Sequence, residues 1–150
     1  MASQKRSFMI SLPTTDITAA IRFGTALGFK PNQAPEDTTV HFECNESFGI
    51  FYSTHPVFGK WLPSGREVVS AKTANEVVLT VSVSSKEEVD ALVERGIEAG
   101  GKRGPNMVPE GGSGCGYIYS RSVEDPDGHL FEIIHHTSCG PEDDSKEDDN

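Results

Sequence analysis

The sequence predicts an α+β domain made of two similar halves. Two observations carry this prediction. A strand-like segment runs directly into an amphipathic helix pattern at two places, and the two helix starts, Asp16 and Ser85, lie 69 residues apart. Each helix pattern is followed by further strand-like segments that are separated by turn residues. A chain of 150 residues suits one such domain, with the helices covering one side of the sheet.

The first half opens with a short strand and continues as a helix over residues 17–29. Thr15 or Asp16 is expected to cap this helix, because a short oxygen-bearing side chain accepts hydrogen bonds from the free amides of a first helical turn. Gly28 is suited to the helix end, since glycine enters the left-handed conformation without strain. The strands predicted after the helix are residues 38–44 and 48–53.

The second half repeats this order. Its first strand, residues 76–83, is rich in β-branched side chains. Ser85 and Glu88 have the S-x-x-E spacing of a capping box, in which both side chains accept hydrogen bonds from backbone amides at the helix start. A helix is therefore predicted over residues 85–101. The strands predicted after it are residues 116–122 and 129–135.

The charge of the chain argues against one class of partner. The formal net charge is −10, and half of it lies in residues 141–150, which hold six acidic residues and one lysine. Nucleic-acid binding needs a cationic face, so no nucleic-acid partner is expected. We predict that residues 140–150 form a disordered acidic tail, which either keeps the chain solvated or contacts a partner.

The hydropathy pattern contains no membrane segment. No apolar run approaches the roughly 20 residues that a spanning helix needs, so no membrane contact is predicted. Residues 1–6 are expected to be a flexible N-terminus, and no apolar stretch of signal-peptide length follows them. We therefore expect a cytoplasmic protein.

The three cysteines, Cys44, Cys115 and Cys139, are scattered and odd in number. Because no C-x-x-C motif occurs, zinc-ribbon and thioredoxin-like sites are excluded. Buried or incidental thiols are the expectation. A nucleophilic role for Cys115, which lies in a glycine-rich stretch, is the alternative and would require a histidine placed beside it.

Two motifs carry a resemblance to a known family. Residues 123–134, V-E-D-P-D-G-H-L-F-E-I-I, are similar to its D-P-D-G…E hairpin, and L-P-T-T-D at residues 12–16 leads into A-L-G-F at residues 26–29, similar to its opening. In this order they resemble the glyoxalase/bleomycin-resistance/extradiol-dioxygenase superfamily, also called vicinal oxygen chelate (VOC) proteins. The resemblance covers about residues 7–136 and looks most like the lactoylglutathione-lyase-like branch.

The resemblance implies a defined organisation. The fold would consist of two βαβββ modules that form a curved mixed sheet around a central cavity. Module one would span about residues 7–58, a linker about 59–75 and module two about 76–139. Proteins of this family often dimerise through their sheets, so a homodimer is expected.

The resemblance also implies one divalent metal ion, with ligand positions that correspond to Met9, Phe51, Glu76 and Glu132. Ions such as Zn, Ni, Mn or Mg prefer oxygen or imidazole donors. Met9 offers only a thioether, and Phe51 offers no donor, with Ser53 as its near neighbour on the same strand face. Two carboxylates are then left for a metal, so the predicted metal site is incomplete and weak.

Several polar residues have two interpretations each. Glu132 either pairs with a basic side chain or faces solvent, or it points into the cavity as a base or metal ligand, since a buried carboxylate is costly unless it is paired. Tyr119 and Arg121 share a strand face. Arg121 either binds a substrate carboxylate or glutathione-like anion through two hydrogen bonds, or neutralises Glu132 across the sheet. His41 and Glu43 form either a polar cavity pair or an exposed pair.

The main functional hypothesis is a lyase or isomerase that acts on a small carbonyl compound. Glu132 would be its general base and Glu76 would assist. One alternative is a protein that binds or sequesters a hydrophobe or drug, as bleomycin-resistance relatives do, because Met9 and Phe51 make one cavity wall apolar. The other is a metal-free tailoring enzyme of secondary metabolism. In each case the residues expected to contact the small molecule are Met9, Phe51, Ser53, Tyr119 and Arg121.

Overall fold

The computed structural model describes residues 5–32, 37–109, 112 and 114–140. It confirms the predicted α+β class, with the strand–helix order occurring twice. The elements of the first half are β1 (Phe8–Thr14), α1 (Ile17–Ala26), β2 (Lys30–Pro31), β3 (Thr39–Glu43), β4 (Phe48–Thr54) and α2 (His55–Gly59). Those of the second half are β5 (Val78–Ser82), α3 (Lys86–Glu98), β6 (Lys102–Arg103), β7 (Ile118–Glu124) and β8 (Leu130–His136).

Both halves build the same four-stranded sheet. The first sheet has the strand order β1-β4-β3-β2, and the second sheet has the order β5-β8-β7-β6. In each, the first strand runs parallel to the last one, and the other pairs are antiparallel. A parallel pair needs a crossover connection, which α1 and the strands after it provide in one half and α3 in the other. The repeat that the sequence predicted is therefore a repeat of topology.

The helix ends follow the predicted local chemistry. The Asp16 carboxylate accepts a hydrogen bond from the Ala19 amide at 3.1 Å, and the Ser85 hydroxyl accepts one from the Glu88 amide at 3.1 Å. α1 ends at Ala26, three residues earlier than predicted, because Gly28 already has a φ of +86°. Side-chain caps thus fix the starts of α1 and α3.

α1 and α3 lie between the two sheets and join them into one core. The Phe23 ring of α1 lies 5.6 Å from the Phe131 ring of β8, measured between ring centroids. Phe29, which follows α1, lies 6.1 Å from Phe131 and 6.4 Å from Phe42 of β3. One face of each sheet, its inner face, therefore points into the shared core. Because successive strand residues alternate, the remaining side chains of both sheets point outward.

Some predicted segments differ in the structure or lie outside it. α2 was not predicted; it begins at His55, and Pro56 occupies a first-turn position that suits proline. The predicted acidic tail beyond Gly140 lies outside the described residues, and so does most of the predicted flexible N-terminus, residues 1–4. Helices of the described ranges all fall short of the length and apolar character that a bilayer crossing needs.

The expectation of incidental thiols is wrong for two of the three cysteines. Cys115 and Cys139 form a disulfide, with their Cα atoms 4.8 Å apart. The reason is the register of the hairpin: β7 and β8 pair Ile118 with His136, and the two cysteines lie three residues beyond that pair on either side. Cys44 is left as a free, half-buried thiol.

Candidate functional site

Glu132 lies on the outer face of the second sheet. Its neighbours in β8, Phe131 and Ile133, are fully buried on the inner face, so the Glu132 side chain points the other way. One carboxylate oxygen accepts a hydrogen bond from the Thr80 hydroxyl at 2.9 Å, and the other accepts one from the Ser120 hydroxyl at 2.8 Å. The half-buried carboxylate is thereby held in one orientation by strands on both sides of β8.

Glu76 does not join Glu132. β5 begins at Val78, so Glu76 lies two residues before the strand, and its side chain is exposed. The β5 residue that pairs with Glu132 is Thr80, four residues further along the chain. Because four residues of extended chain cover about 13 Å, this offset keeps Glu76 away from Glu132. Glu76 instead lines a cleft of about 350 Å³ together with α2 and the segment that follows α2.

The other predicted contact residues divide between the two faces of the sheets. Met9, Phe51 and Ser53 occupy the outer face of the first sheet, because the alternate residues of β1 and β4 point into the core. Arg121 pairs with the buried Ile133 and therefore lies on the inner face of β7, opposite to the face of Glu132. The interpretation that Arg121 neutralises Glu132 across the sheet is not supported by this placement.

Arg121 and Tyr119 form a cluster on the side of α3. The Arg121 guanidinium lies over the Tyr119 ring, 4.3 Å from its centroid. The Tyr119 hydroxyl donates a hydrogen bond to Asp90 of α3 at 2.8 Å. Arg121 also donates a hydrogen bond to the Ser120 carbonyl oxygen at 2.7 Å. The hydrogen bond between Tyr119 and Asp90 connects β7 with α3.

His41, for which the sequence left both a cavity position and an exposed position open, has a defined position on the outer face of the first sheet. The His41 ring stacks on the Phe51 ring, with the centroids 4.3 Å apart and the planes 21° from parallel. The Asn32 side-chain nitrogen lies 3.3 Å from Nδ1 of His41, and its N–H donates to that nitrogen when the imidazole is neutral and carries its proton on Nε2. Nε2 lies over Gly49, where a Cβ atom would come within 2.7 Å of it. His41 of β3 lies directly opposite Phe51 of β4, and this strand pairing is the feature from which the stack could have been predicted.

The two sequence motifs that carry the family resemblance touch each other in the folded chain. One oxygen of Asp127 accepts a hydrogen bond from the Thr14 hydroxyl at 2.5 Å. The other accepts hydrogen bonds from the backbone amide of Thr15 at 2.8 Å and from its hydroxyl at 2.9 Å. Both Thr14 and Asp127 are buried, so these bonds join the two modules away from water.

A second carboxylate completes this inter-module network. One oxygen of Asp125 accepts a hydrogen bond from the Tyr52 hydroxyl at 2.8 Å, and the other accepts one each from the Asp127 and His129 amides at 2.9 Å. Nε2 of His129 lies 2.7 Å from the Pro13 carbonyl oxygen, to which it donates. Burial raises the pKa of Asp125, and burial together with the Asp125 charge raises the pKa of Tyr52 well above its usual range.

The donors present do not fit the metal site that the resemblance implies. In the part of the chain that the structure describes, Asp125, Asp127 and His129 are the only three potential ligands that lie within 4.8 Å of one another. All four of their carboxylate oxygens already accept hydrogen bonds from the chain itself, so this cluster serves to join the modules. Glu132 contacts hydroxyl groups, and Glu76 is remote from it.

Comparison with solved structures gives neighbours that cover most of the chain. A hypothetical protein from S. aureus is 28% identical, with 91% of this chain and 96% of that chain covered and a TM-score of 0.69. A glyoxalase-related enzyme from Fulvimarina pelagi is 25% identical, with 88% of each chain covered and a TM-score of 0.70. A lactoylglutathione lyase from Agrobacterium tumefaciens is 15% identical, with 88% of this chain and 94% of that chain covered and a TM-score of 0.62.

No family model matches the sequence, and no curated protein matches it. The structural neighbours include several proteins described as glyoxalase/bleomycin-resistance proteins or dioxygenases. The chain therefore has the glyoxalase/VOC fold, in which two four-stranded mixed sheets each carry their own helix.

Proposed function

We propose that this protein is a glyoxalase-like lyase or isomerase that transfers a proton within a small carbonyl compound, with Glu132 as the general base. The observation that carries the proposal is the orientation of Glu132 by the hydroxyls of Thr80 and Ser120 on the outer face of β8. A general base needs a fixed position against its substrate before anything else. The likeness to a glyoxalase-related enzyme that is 25% identical supports the same class of reaction.

The proposed step is a proton transfer between neighbouring atoms of the substrate. Glu132 takes the proton from a hydroxyl-bearing carbon next to a carbonyl group. The electrons of the broken C–H bond form a carbon–carbon double bond, and the electron pair of the carbonyl double bond moves onto its oxygen to give an enediolate. Glu132 then returns the proton to the former carbonyl carbon while the hydroxyl proton passes to the neighbouring oxygen, so the carbonyl and hydroxyl groups exchange positions with no net gain or loss of atoms. Because the donors around Glu132 do not fit a metal site, the proposed step uses no metal ion. Weak binding of a divalent ion stays a separate prediction, which elemental analysis of the purified protein tests.

The site requires a second copy of the chain. In one protomer the outer faces of the two sheets point away from the shared core, so the apolar face of Met9 and Phe51 does not meet Glu132. β1 and β5 are the edge strands of their sheets, and Phe8, Met9 and Val78 expose 74%, 55% and 46% of their surface there. Exposed apolar side chains on open edges favour association. We therefore propose a homodimer in which each first sheet faces the second sheet of the other copy.

The test is exchange of a substrate hydrogen with solvent. The purified protein is incubated in D₂O with a panel of α-ketoaldehydes, each with and without glutathione, and C–H exchange is followed by NMR. Glu132→Gln is expected to lower the rate at least about 100-fold, because the amide cannot accept the proton. Glu76→Gln is the matched control and is expected to keep full activity. Absence of exchange with every compound, or equal rates for the two variants, contradicts the proposal.

A second candidate function is the binding of a planar aromatic molecule without turnover. The stacked rings of His41 and Phe51, beside the exposed Met9, form a flat apolar surface that favours it. Some structural neighbours are described as bleomycin-resistance proteins, which supports this candidate as well. Saturable binding of an aromatic compound that Phe51→Ala abolishes, together with no exchange chemistry, would favour it. A metal-free tailoring enzyme would show both binding and exchange.

A further inference from the structure

A cleft opens between the two sheets where neither helix covers them. α1 packs mainly on β2, β3 and β4, and α3 packs mainly on β6, β7 and β8. α1 and α3 therefore leave the inner faces of β1 and β5 largely uncovered, while the short helix α2 contacts β1. The resulting space, here called the module cleft, has a volume of about 610 Å³. This volume lies in the range of roughly 300–1,000 Å³ that small-molecule sites occupy.

The walls of the module cleft are apolar and come from both modules. Among the residues that the structure describes, none of the side chains that line it carries a charge. Ile10, Phe48 and Val81 are only half-buried, so apolar surface inside the cleft contacts water. Removal of such surface from water is favourable and drives the binding of apolar ligands. The main apolar wall residues are Ile10, Phe48 and Ile50 from the first sheet and Leu79, Val81 and Phe131 from the second.

At the cleft, the side chains of Asn45 and Thr80 already make hydrogen bonds within the chain, and the Cys44 thiol is uncharged. The Asn45 side-chain oxygen accepts hydrogen bonds from the Ser47 and Phe48 amides, both at 2.8 Å. The Thr80 hydroxyl donates to Glu132. Burial raises the pKa of the Cys44 thiol to about 11, so this group is uncharged at neutral pH. An ionised ligand would find no counter-charge here.

We propose that the module cleft binds an uncharged apolar small molecule, aliphatic or aromatic, at a site built mainly from the inner faces of the two sheets. The uncharged lining selects against anions and cations, because a charge moved into such a cleft loses its hydration without gaining a partner. The cleft is formed by the inner faces of both modules, so one protomer is sufficient for binding. The cleft meets the proposed proton-transfer site at Thr80, whose hydroxyl holds the Glu132 carboxylate, but Glu132 itself lies on the outer face of β8, so the two functions can be tested separately.

Binding of N-phenyl-1-naphthylamine, an uncharged apolar fluorophore, tests the proposal. We expect saturable binding of one molecule per chain. Cys44→Trp places a large ring at the cleft wall and is expected to weaken binding at least about tenfold. Ser64→Trp adds the same ring at an exposed position and is the matched control. Non-saturable binding, or equal affinity of both variants, overturns the proposal.

A second measurement does not depend on the folding of a variant. In the wild-type chain Cys44 is the cysteine outside the disulfide, so N-ethylmaleimide under non-reducing conditions reports on it. The bound fluorophore is expected to slow alkylation about tenfold, and an unchanged rate contradicts binding in the cleft. If the fluorophore binds monomers alone and its affinity falls as dimer forms in sedimentation experiments, a second copy occupies the cleft and the proposal fails. Glu132→Gln should leave fluorophore binding unchanged, which separates this outcome from failure of the proton-transfer function.

Discussion

The Thr14 hydroxyl donates a hydrogen bond to Asp127, a residue 113 positions later in the chain. Thr14 ends β1, and Asp127 lies in the turn between β7 and β8, so this bond joins the first strand of one module to the last hairpin of the other. The turn before β8 is thus held at the end of β1, while the outer face of β8 carries Glu132. The network that joins the modules therefore also fixes the hairpin that presents the candidate base.

Replacement of Asp127 by alanine should destabilise the whole domain. Asp127→Ala removes the acceptor of three hydrogen bonds and leaves the buried Thr14 hydroxyl without this partner. We expect a loss of about 3 kcal/mol in the free energy of unfolding, measured by urea titration. Asp37→Ala, at an exposed position, is the control and should change it by less than about 0.5 kcal/mol. Equal effects of the two substitutions would show that the inter-module bonds contribute nothing.

Asp125 should give the domain a defined dependence on pH. Burial raises its pKa above the ordinary value of 3.8, although the His129 charge and the hydrogen bond from Tyr52 act in the opposite direction. The folded chain therefore holds this proton over a pH range in which the unfolded chain has lost it. The resulting stabilisation is complete below 3.8 and is lost as the pH rises through the folded-state pKa.

Asp125→Asn isolates this contribution, because its side-chain oxygen can still accept from the Asp127 and His129 amides. The free energy of unfolding of the wild type, relative to that of the variant, is expected to fall as the pH is raised from about 4 to about 7. Urea titrations across this range measure the difference. A difference that stays constant or rises with pH would mean that the Asp125 pKa is not raised in the folded chain.

The disulfide should be detectable in the number of reactive thiols and in the free energy of unfolding. Under non-reducing conditions in denaturant, one thiol per chain should react with a maleimide, and three should react after reduction. Reduction is expected to lower the free energy of unfolding by about 3 kcal/mol for a bridge across 24 residues. The Cys115→Ser, Cys139→Ser double variant should show no effect of reductant.

The same count tests the predicted compartment. Thiols are kept reduced in the cytoplasm, so a chain alkylated at the moment of cell lysis should show three reactive thiols if it resides there. A single reactive thiol would place the chain in an oxidising compartment and would contradict the cytoplasmic prediction.

Local chemistry explains which parts of the fold could be predicted. Asp16 and Ser85 were identified as caps because a cap depends on the next few residues alone. The contact between Thr14 and Asp127 could not be predicted in the same way, since each lies in a short motif whose partner is in the other half of the chain. The Cys115–Cys139 disulfide is intermediate in difficulty, because it follows from the register of a single hairpin. A one-residue error in the predicted register is enough to miss it.

The candidate site was predicted less well because it depends on which way each face points. Alternation correctly grouped Phe51 with Ser53, and Tyr119 with Arg121. Alternation does not show which face of a strand packs against the helix. That choice places Arg121 beside α3 and Glu132 on the outer face of the sheet. The choice is made by burial of Phe131 and Ile133, whose packing partners come from the other half of the fold.

Charge placed on the edge of β1 should separate the proposed dimer. Phe8 and Met9 expose 74% and 55% of their surface, so glutamate at either position costs the monomer little. Across an apolar interface the same carboxylate would be buried without a partner, which is unfavourable by several kcal/mol. We therefore expect Met9→Glu to raise the dimer dissociation constant at least about 100-fold in sedimentation velocity, with unchanged circular dichroism.

Thr25→Glu, on the exposed side of α1, is the matched control and should leave the dimer intact. Since the proposed site needs both sheets, Met9→Glu should also remove exchange activity, and a wild-type chain that is monomeric yet active would contradict the shared site.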